Sequence, residues 1–376
     1  MQSKEVLLNY VKGRHTSGQM LNLVKYFLGK KKEVVNWDPI YVSVFPTYKC
    51  NFSCDMCLTH SNKFSNPNGQ KPGSDLDFEQ FKKILDYYKN SIVVNLIGNG
   101  EPLLNKDLFS MIEYASKVKK MYVFTSSNGI MLGEHIQKIV DSSLRGFQIS
   151  LNGHNPNEFN RMTGMPSKSF NVICENVAEL VKQRNLRKSE VEILVSIVLD
   201  KENYADIKDM ANFASELGAD KILFFQFLPF SATGFTGSER CLFSHDANIV
   251  KAFSQVESLP SKVRKKVLLP PLLNETMDSN RCCTVPFYNI MIDGGNNVGF
   301  CCMSSNFINN GKYYEKDSWN NDYFRNVRNM FMKPDVPVWE SCKWCYHNTG
   351  RTRLLSNPNP VSHVTRKVFS KLLKKS

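Results

Sequence analysis

Short apolar runs rich in β-branched residues alternate with stretches of helical spacing through the middle of the chain. Ile40 to Pro46 (IYVSVFP), Ile92 to Ile97 (IVVNLI), Met121 to Thr125 (MYVFT), Gly146 to Leu151 (GFQISL), Val191 to Leu199 (VEILVSIVL) and Lys221 to Leu228 (KILFFQFL) read as six strands. Apolar residues three and four apart predict helices between them. Phe81, Ile84, Leu85 and Tyr88 mark 78–88, Leu108, Ile112 and Ala115 mark 108–118, and Val177, Leu180 and Val181 mark 170–184; shorter signals cover 136–140 and 207–217. Asp75 is the expected cap of the first of these helices. Repeated strand–helix units imply a parallel sheet with helices outside. Six units are too few for a closed eight-stranded barrel. The expected fold is therefore α/β, a partial (β/α)6 barrel, with chemistry at the C-terminal ends of its strands.

Composition adds limits. The 376 residues, 42% hydrophobic and 22% charged, allow two or three domains and exclude wholesale disorder. No apolar run reaches the length of a membrane span. The N-terminus has no secretory apolar core, so a cytoplasmic location is expected. The net charge of +13 sits at the two ends: residues 1–35 carry +5, residues 351–376 carry +7, and the 315 between them only +1. A nucleic-acid enzyme would spread basic residues over its working face, so no nucleic-acid partner is expected. Residues 17–28 and 361–375 both set apolar residues at helical spacing among Lys and Arg. Such stripes either pack on the domain or rest peripherally on an anionic membrane.

Eleven cysteines in a reducing compartment point away from disulfides and toward metal or redox chemistry. Cys50, Cys54 and Cys57 follow the first strand directly, as Cys-x3-Cys-x2-Cys. A zinc site wants four ligands, usually in pairs, and no fourth stands nearby. Three thiolates would hold three irons of a [4Fe–4S] cluster and leave one iron open to a further ligand.

With this triplet, the residues at the later strand ends resemble the radical S-adenosylmethionine (radical SAM) superfamily. Gly98-Asn99-Gly100-Glu101-Pro102 after strand two is similar to the family's Gly-Gly-Glu-Pro. Ser127-Asn128-Gly129 after strand three is similar to its Thr-Asn-Gly, and Ser150-Leu151-Asn152-Gly153 with Arg161 to its Ser-Leu-Asp-Gly and downstream Arg. Asn99, Ser127 and Asn152 depart from the pattern. The resemblance implies a TIM-barrel-like fold and an enzyme that binds a [4Fe–4S] cluster and S-adenosylmethionine. It cleaves the latter reductively to a 5′-deoxyadenosyl radical that abstracts a substrate hydrogen. It assigns the cluster to Cys50, Cys54 and Cys57. Glu101 would accept the methionine ammonium, Arg161 would fork the methionine carboxylate, and Asn128 and Ser150 would meet the ribose. A flavodoxin- or ferredoxin-type protein would donate the electron.

Beyond Pro270-Pro271 stand Cys283, Cys301, and Cys342-Lys-Trp-Cys345, with two strands joined by an Asp293-Gly294 turn between the first two. This resembles the SPASM or twitch extension of radical SAM enzymes, a small α+β cysteine-rich domain with an auxiliary [4Fe–4S] cluster. By spacing alone a four-cysteine zinc site fits equally, and Cys282 or Cys302 can replace its neighbour. Cys174 reads as a packed helix residue. Cys241, in the loop after strand six, reads as a packed thiol or as a hydrogen-atom donor. The expected organisation is a basic helical extension (1–37), a barrel core (38–235), a linker (236–270), the auxiliary-cluster domain (271–350) and a basic tail (351–376). Only 37 residues precede strand one, too few for a leader-recognition domain. The expected substrate is therefore small or carbohydrate-like, to be oxidised, epimerised or rearranged. The alternatives are a ribosomal-peptide maturase and a non-catalytic zinc-ribbon binding protein.

Overall fold

The computed structural model describes residues 15–57, 59–61, 75–227, 239–273, 281, 283–302, 310–343 and 345. The expected C-terminal amphipathic stretch, Leu228 and Cys282 lie outside these residues.

The six strands form where the apolar runs place them. They are β1 (Tyr41–Val44), β2 (Val93–Leu96), β3 (Tyr122–Ser127), β4 (Gly146–Ser150), β5 (Glu192–Leu199) and β6 (Lys221–Gln226). Each pairs in parallel with the next. Crossover helices lie between them, as parallel pairing requires. In chain order after α1 (Ser17–Leu28) they are α2 (Phe78–Tyr87), α3 (Leu108–Glu113), α4 (Ile136–Asp141), α5 (Pro156–Thr163), α6 (Ser167–Leu186) and α7 (Ile207–Glu216). Beyond β6 come α8 (Ala247–Gln255), α9 (Ser261–Arg264) and β7 (Val267–Leu268), then β8 (Asn289–Ile292), β9 (Val298–Gly299), α10 (Asp322–Met332) and α11 (Glu340–Lys343).

The sheet has nine strands in the order β7-β6-β5-β4-β3-β2-β1-β8-β9. β8 pairs in parallel with β1, and β9 turns back antiparallel on β8. The Asp293 carboxylate makes that turn by accepting the backbone N–H groups of Gly295 and Asn297 at 2.9 and 2.8 Å. The hairpin of the expected C-terminal unit thus extends the core sheet on the β1 side. A fully buried seam of Ile40, Val42, Val44, Val94, Leu96 and Ile290 joins the two.

Two local expectations are corrected. The cap of α2 is Asp77, whose side chain accepts the Gln80 N–H at 2.7 Å. A cap must stand one residue before the first helical turn, and Asp75 instead takes Thr47 and Lys49 at 2.6 and 2.8 Å. The helix expected over 108–118 is α-helical only to Glu113 and continues as a π-turn, Tyr114–Val118. Ser116 Oγ donates to the Ile112 carbonyl at 2.7 Å and so competes with the regular backbone ladder.

α1 packs on the barrel through polar side chains as well as Leu23. Gln19 donates to the Ser91 and Lys119 carbonyls at 2.9 and 2.8 Å, and Asn22 to those of Asp38 and Asn90 at 3.2 and 3.1 Å. No described helix is long and apolar enough to cross a membrane.

Candidate active site

The loop after β1 carries Cys50, Cys54 and Cys57 as free thiols, each partly buried. Burial chiefly pushes Cys50 and Cys54 up, Cys54 to about 12, and Cys57 adds to both. The three thiols therefore lie within electrostatic reach of one another. Among the described residues no three His, Cys, Asp or Glu side chains converge on a single ion. A four-iron cluster takes each thiolate on a separate iron, so its ligands need not converge. Three half-buried thiols with no fourth nearby among the described residues fit that donor set. Loading must expel the thiol protons.

The loop is fastened to the neighbouring strand ends. Glu101 donates its backbone N–H to the Lys49 carbonyl at 2.8 Å. Gly100 permits this close approach, because a Cβ there would stand 2.5 Å from the Thr47 and Lys49 carbonyl oxygens. His60 donates a backbone N–H to Cys57 Sγ at 3.3 Å, and its ring Nε2 lies 2.7 Å from the Asn99 carbonyl. Asn99 is not left-handed, so the glycine it replaces is not required. Asn152 is left-handed, φ 54°, a conformation Asn and Asp tolerate better than most residues.

The Glu101 carboxylate is buried between two loops. It accepts the Leu103 N–H at 3.0 Å and the Asn128 N–H at 2.7 Å. Burial raises its pKa and these hydrogen bonds oppose the rise. Asn128 donates its side-chain amide to Asn51 Oδ1 of the thiol loop at 2.7 Å. Ser150 ends β4 in register with Ser196 of β5.

Arg161, on α5, forks the Asp200 carboxylate at 2.8 and 3.1 Å. Asp200 directly follows β5 and is fully buried. Arg240 shares the same carboxylate at 2.7 Å and also pairs with Asp55 of the thiol loop. Despite burial, Arg161 and Arg240 hold Asp200 below the usual carboxylate range. Asp55, Asp200, Arg240, Asn51 and His60 escaped the sequence reading. Asp200 stands at a strand end and Asp55 inside the triplet, positions that could have flagged both. Arg240 has no such signal.

Cys241 is sealed in an apolar group with Met162, Phe227, Phe243 and Leu273, against which Met56 of the thiol loop packs. Burial pushes its thiol to about 12. Cys174 is half-buried against the main core.

The second set also gathers. Burial foremost, then Cys345 and Cys342, push the Cys283 thiol up. Tyr288 is raised by burial and by Cys283, Cys301 and Cys345, among others. Cys283, Cys342 and Cys345 are buried, Cys301 is half-buried and Cys302 is exposed.

Residues 44–214 match the family model of the Radical SAM superfamily. The chain carries a radical SAM domain. A probable GTP 3',8-cyclase of Pyrobaculum aerophilum is 23% identical over 228 residues, 60% of this chain and 69% of that protein. The mycofactocin maturase MftC of Mycolicibacterium smegmatis is 28% identical over 184 residues, 48% of this chain and 43% of that protein. Among solved structures, Streptococcus suis SuiB bound to the precursor peptide SuiA superposes with a TM-score of 0.59 at 14% identity, covering 82% of this chain and 70% of that one. Native anSMEcpe with bound AdoMet gives 0.57 at 16% identity, covering 82% and 87%. At such identities the two structures share the fold.

Proposed function

We propose that this chain is a radical SAM enzyme that modifies a peptide. One observation carries the reading. A loop of three thiols after β1 stands beside Glu101 and Asn128 on the strand-end face, and a second group of thiols gathers around the β8–β9 hairpin. Cys50, Cys54 and Cys57 would hold the [4Fe–4S] cluster with one iron left for S-adenosylmethionine. Cys283, Cys301, Cys342 and Cys345 would saturate an auxiliary cluster, which suits electron transfer or structure. When bound, the first cluster and S-adenosylmethionine supply a 5′-deoxyadenosyl radical for hydrogen abstraction.

The chain's own groups bind and orient. Glu101, its carboxylate fixed by two backbone N–H donors, offers remaining lone pairs to the methionine ammonium. Asp200 holds the Arg161 fork in place, so that its remaining N–H groups meet the methionine carboxylate without first losing side-chain freedom. Asn128 and Ser150 face the ribose hydroxyls. The electron donor proposed is of flavodoxin or ferredoxin type.

The expected carbohydrate-like substrate gives way to a peptide. Support comes from the mycofactocin maturase among the relatives and from the fold shared with a structure that holds a precursor peptide. The GTP 3',8-cyclase relative keeps a nucleotide substrate as the second reading. The test is 5′-deoxyadenosine release by anaerobically reconstituted protein, with a short-peptide library, GTP and sugar alcohols supplied separately. Peptides are expected to stimulate release and to gain or lose mass. Stimulation by GTP or a sugar alone would overturn the peptide reading.

A further inference from the structure

We infer that Arg240 is a positioning residue for the thiol loop: it bolts Asp55 of that loop to Asp200 at the end of β5 and balances the charge beside the first cluster. The inference rests on reading Cys50, Cys54 and Cys57 as the cluster ligands.

Arg240 comes from the segment after β6, yet it touches four parts of the site. Its Nη1 donates to Asp55, and its Nε and Nη2 donate to Asp200 Oδ2 at 3.2 and 2.7 Å. Nη2 also lies 3.5 Å from Met162 Sδ on α5, and the guanidinium stacks 4.0 Å over the Phe227 ring. The backbone repeats the bolt, because the Asp55 N–H donates to the Met162 carbonyl at 3.1 Å. Met56, next in the loop, packs on the group formed by Met162, Phe227 and Cys241. The centre of the triplet loop is therefore docked by charge, by a backbone hydrogen bond and by apolar contact against one surface.

Arg161 and Arg240 meet Asp55 and Asp200, with the exposed Glu202 3.4 Å from Arg161 at the edge, and the side chains of Arg240, Asp55 and Asp200 are 18%, 16% and 0% exposed. Water and salt screen such a set poorly. Removing one member leaves its counter-charge next to the thiols. Asp55 directly follows Cys54 in the loop. A carboxylate deprived of the Arg240 charge must disfavour the addition of an electron to a cluster on this loop. A neutral residue at 55, with Arg240 kept, must favour it. Asp200 also grips Arg161, so the same bolt ties the loop to the arginine proposed for the methionine carboxylate.

The experiment is an anaerobic redox titration of the reconstituted protein, followed by electron paramagnetic resonance of the first cluster and by iron analysis. Asp55→Asn should raise the midpoint potential, Arg240→Gln should lower it, and the double variant should return close to the unvaried value. Arg240→Lys, which keeps the charge and loses the fork, should fall less than Arg240→Gln. A purely structural role would not shift the two single variants in opposite directions. Unchanged potentials at full iron content, or shifts of the same sign, would overturn the inference. If Arg240→Gln does not fold, Asp55→Asn decides alone: a rise supports the inference, while no shift or a fall overturns it. An unvaried protein that takes up no iron at the triplet overturns the functional reading, and this inference with it.

Discussion

The carboxylate of Glu101, at the end of β2, accepts the backbone N–H of Asn128, at the end of β3, at 2.7 Å. Its other oxygen takes the Leu103 N–H at 3.0 Å. One buried acid thus fixes two strand-end loops and still has lone pairs for a cation. This double duty makes Glu101→Gln more than the removal of a charge. An amide nitrogen is only a donor, so one of the two backbone N–H groups must then face another donor.

Glu101→Gln is therefore expected to lower both the melting temperature and the affinity for S-adenosylmethionine while leaving the iron content unchanged. A hydrogen bond to a charged group contributes roughly 1.5–3 kcal/mol, so affinity should fall about tenfold or more. Calorimetric titration of the reconstituted protein reads the affinity. Unchanged binding would place the ammonium elsewhere.

The pattern of the chain made the six strands and the triplet legible because both are local. β-branched runs such as IVVNLI have no other good use, and the motif residues follow them directly. What stayed hidden is non-local. β8 pairs with β1 across more than two hundred residues, and nothing in NIMI distinguishes a parallel partner of β1 from an isolated hairpin strand. α5 was hidden by its composition, since PNEFNRMT is mostly polar and only Phe159 and Met162 are apolar on a buried face that also holds Glu158 and Thr163. Arg240 stands in a loop without periodicity, and only the fold shows that it meets Asp55. Asp75 stands two residues too early for the cap, because the first turn of α2 begins at Phe78 and takes Asp77.

Asp200 gives stability a pH dependence whose sign follows from its depressed pKa. A carboxyl depressed in the folded state stabilises above its unfolded value, about 4, and that contribution is lost as pH falls through the folded value. Asp200→Asn should melt well below the unvaried protein at pH 7, and the gap should narrow as the pH drops below about 4. Melts of the metal-free proteins followed by circular dichroism check this. A gap that stays constant with pH would mean that the Arg161 and Arg240 pairs do not set the carboxylate's pKa.

Arg328, on α10, is fully buried and ties the chain before β1 to the segment beside Cys283. It donates to the carbonyls of Glu33, Pro286 and Trp319 and to Asn320 Oδ1 at 2.8–3.0 Å, and stacks 4.4 Å from the Trp319 ring. Arg328→Met fills similar space but leaves three backbone carbonyls without this donor. Each buried orphan costs about 1–3 kcal/mol; with the Glu33 carbonyl only partly buried, the loss should be about 2 kcal/mol or more. Urea unfolding measures it. A loss under about 1 kcal/mol would mean that water or another donor replaces the guanidinium.

The two thiol groups make the final prediction, because they are fastened separately although they stand on the neighbouring strands β1 and β8. The triplet leaves β1 and is bolted to β2, β3 and β5. Cys283 and Cys301 flank β8 and β9, and α11 with Cys342 and Cys345 comes from the far end of the chain. Electrostatic contact runs within each group: Cys54 with Cys57 and Cys50, and Cys283 with Cys345 and Cys342. The sites should therefore load and fail separately. Reconstituted protein should hold about eight irons, and the triple variant Cys50→Ala, Cys54→Ala, Cys57→Ala about four. Cys342→Ala with Cys345→Ala should also keep about four irons and still cleave S-adenosylmethionine slowly, since the first loop keeps all of its own fastenings. Turnover of the substrate should stop in that variant, because the auxiliary cluster that would carry the electron is gone. Loss of zinc instead of iron would return the second group to a zinc site. Loss of cofactor cleavage in a folded double variant would show that the two groups act as one through the pairing of β1 with β8.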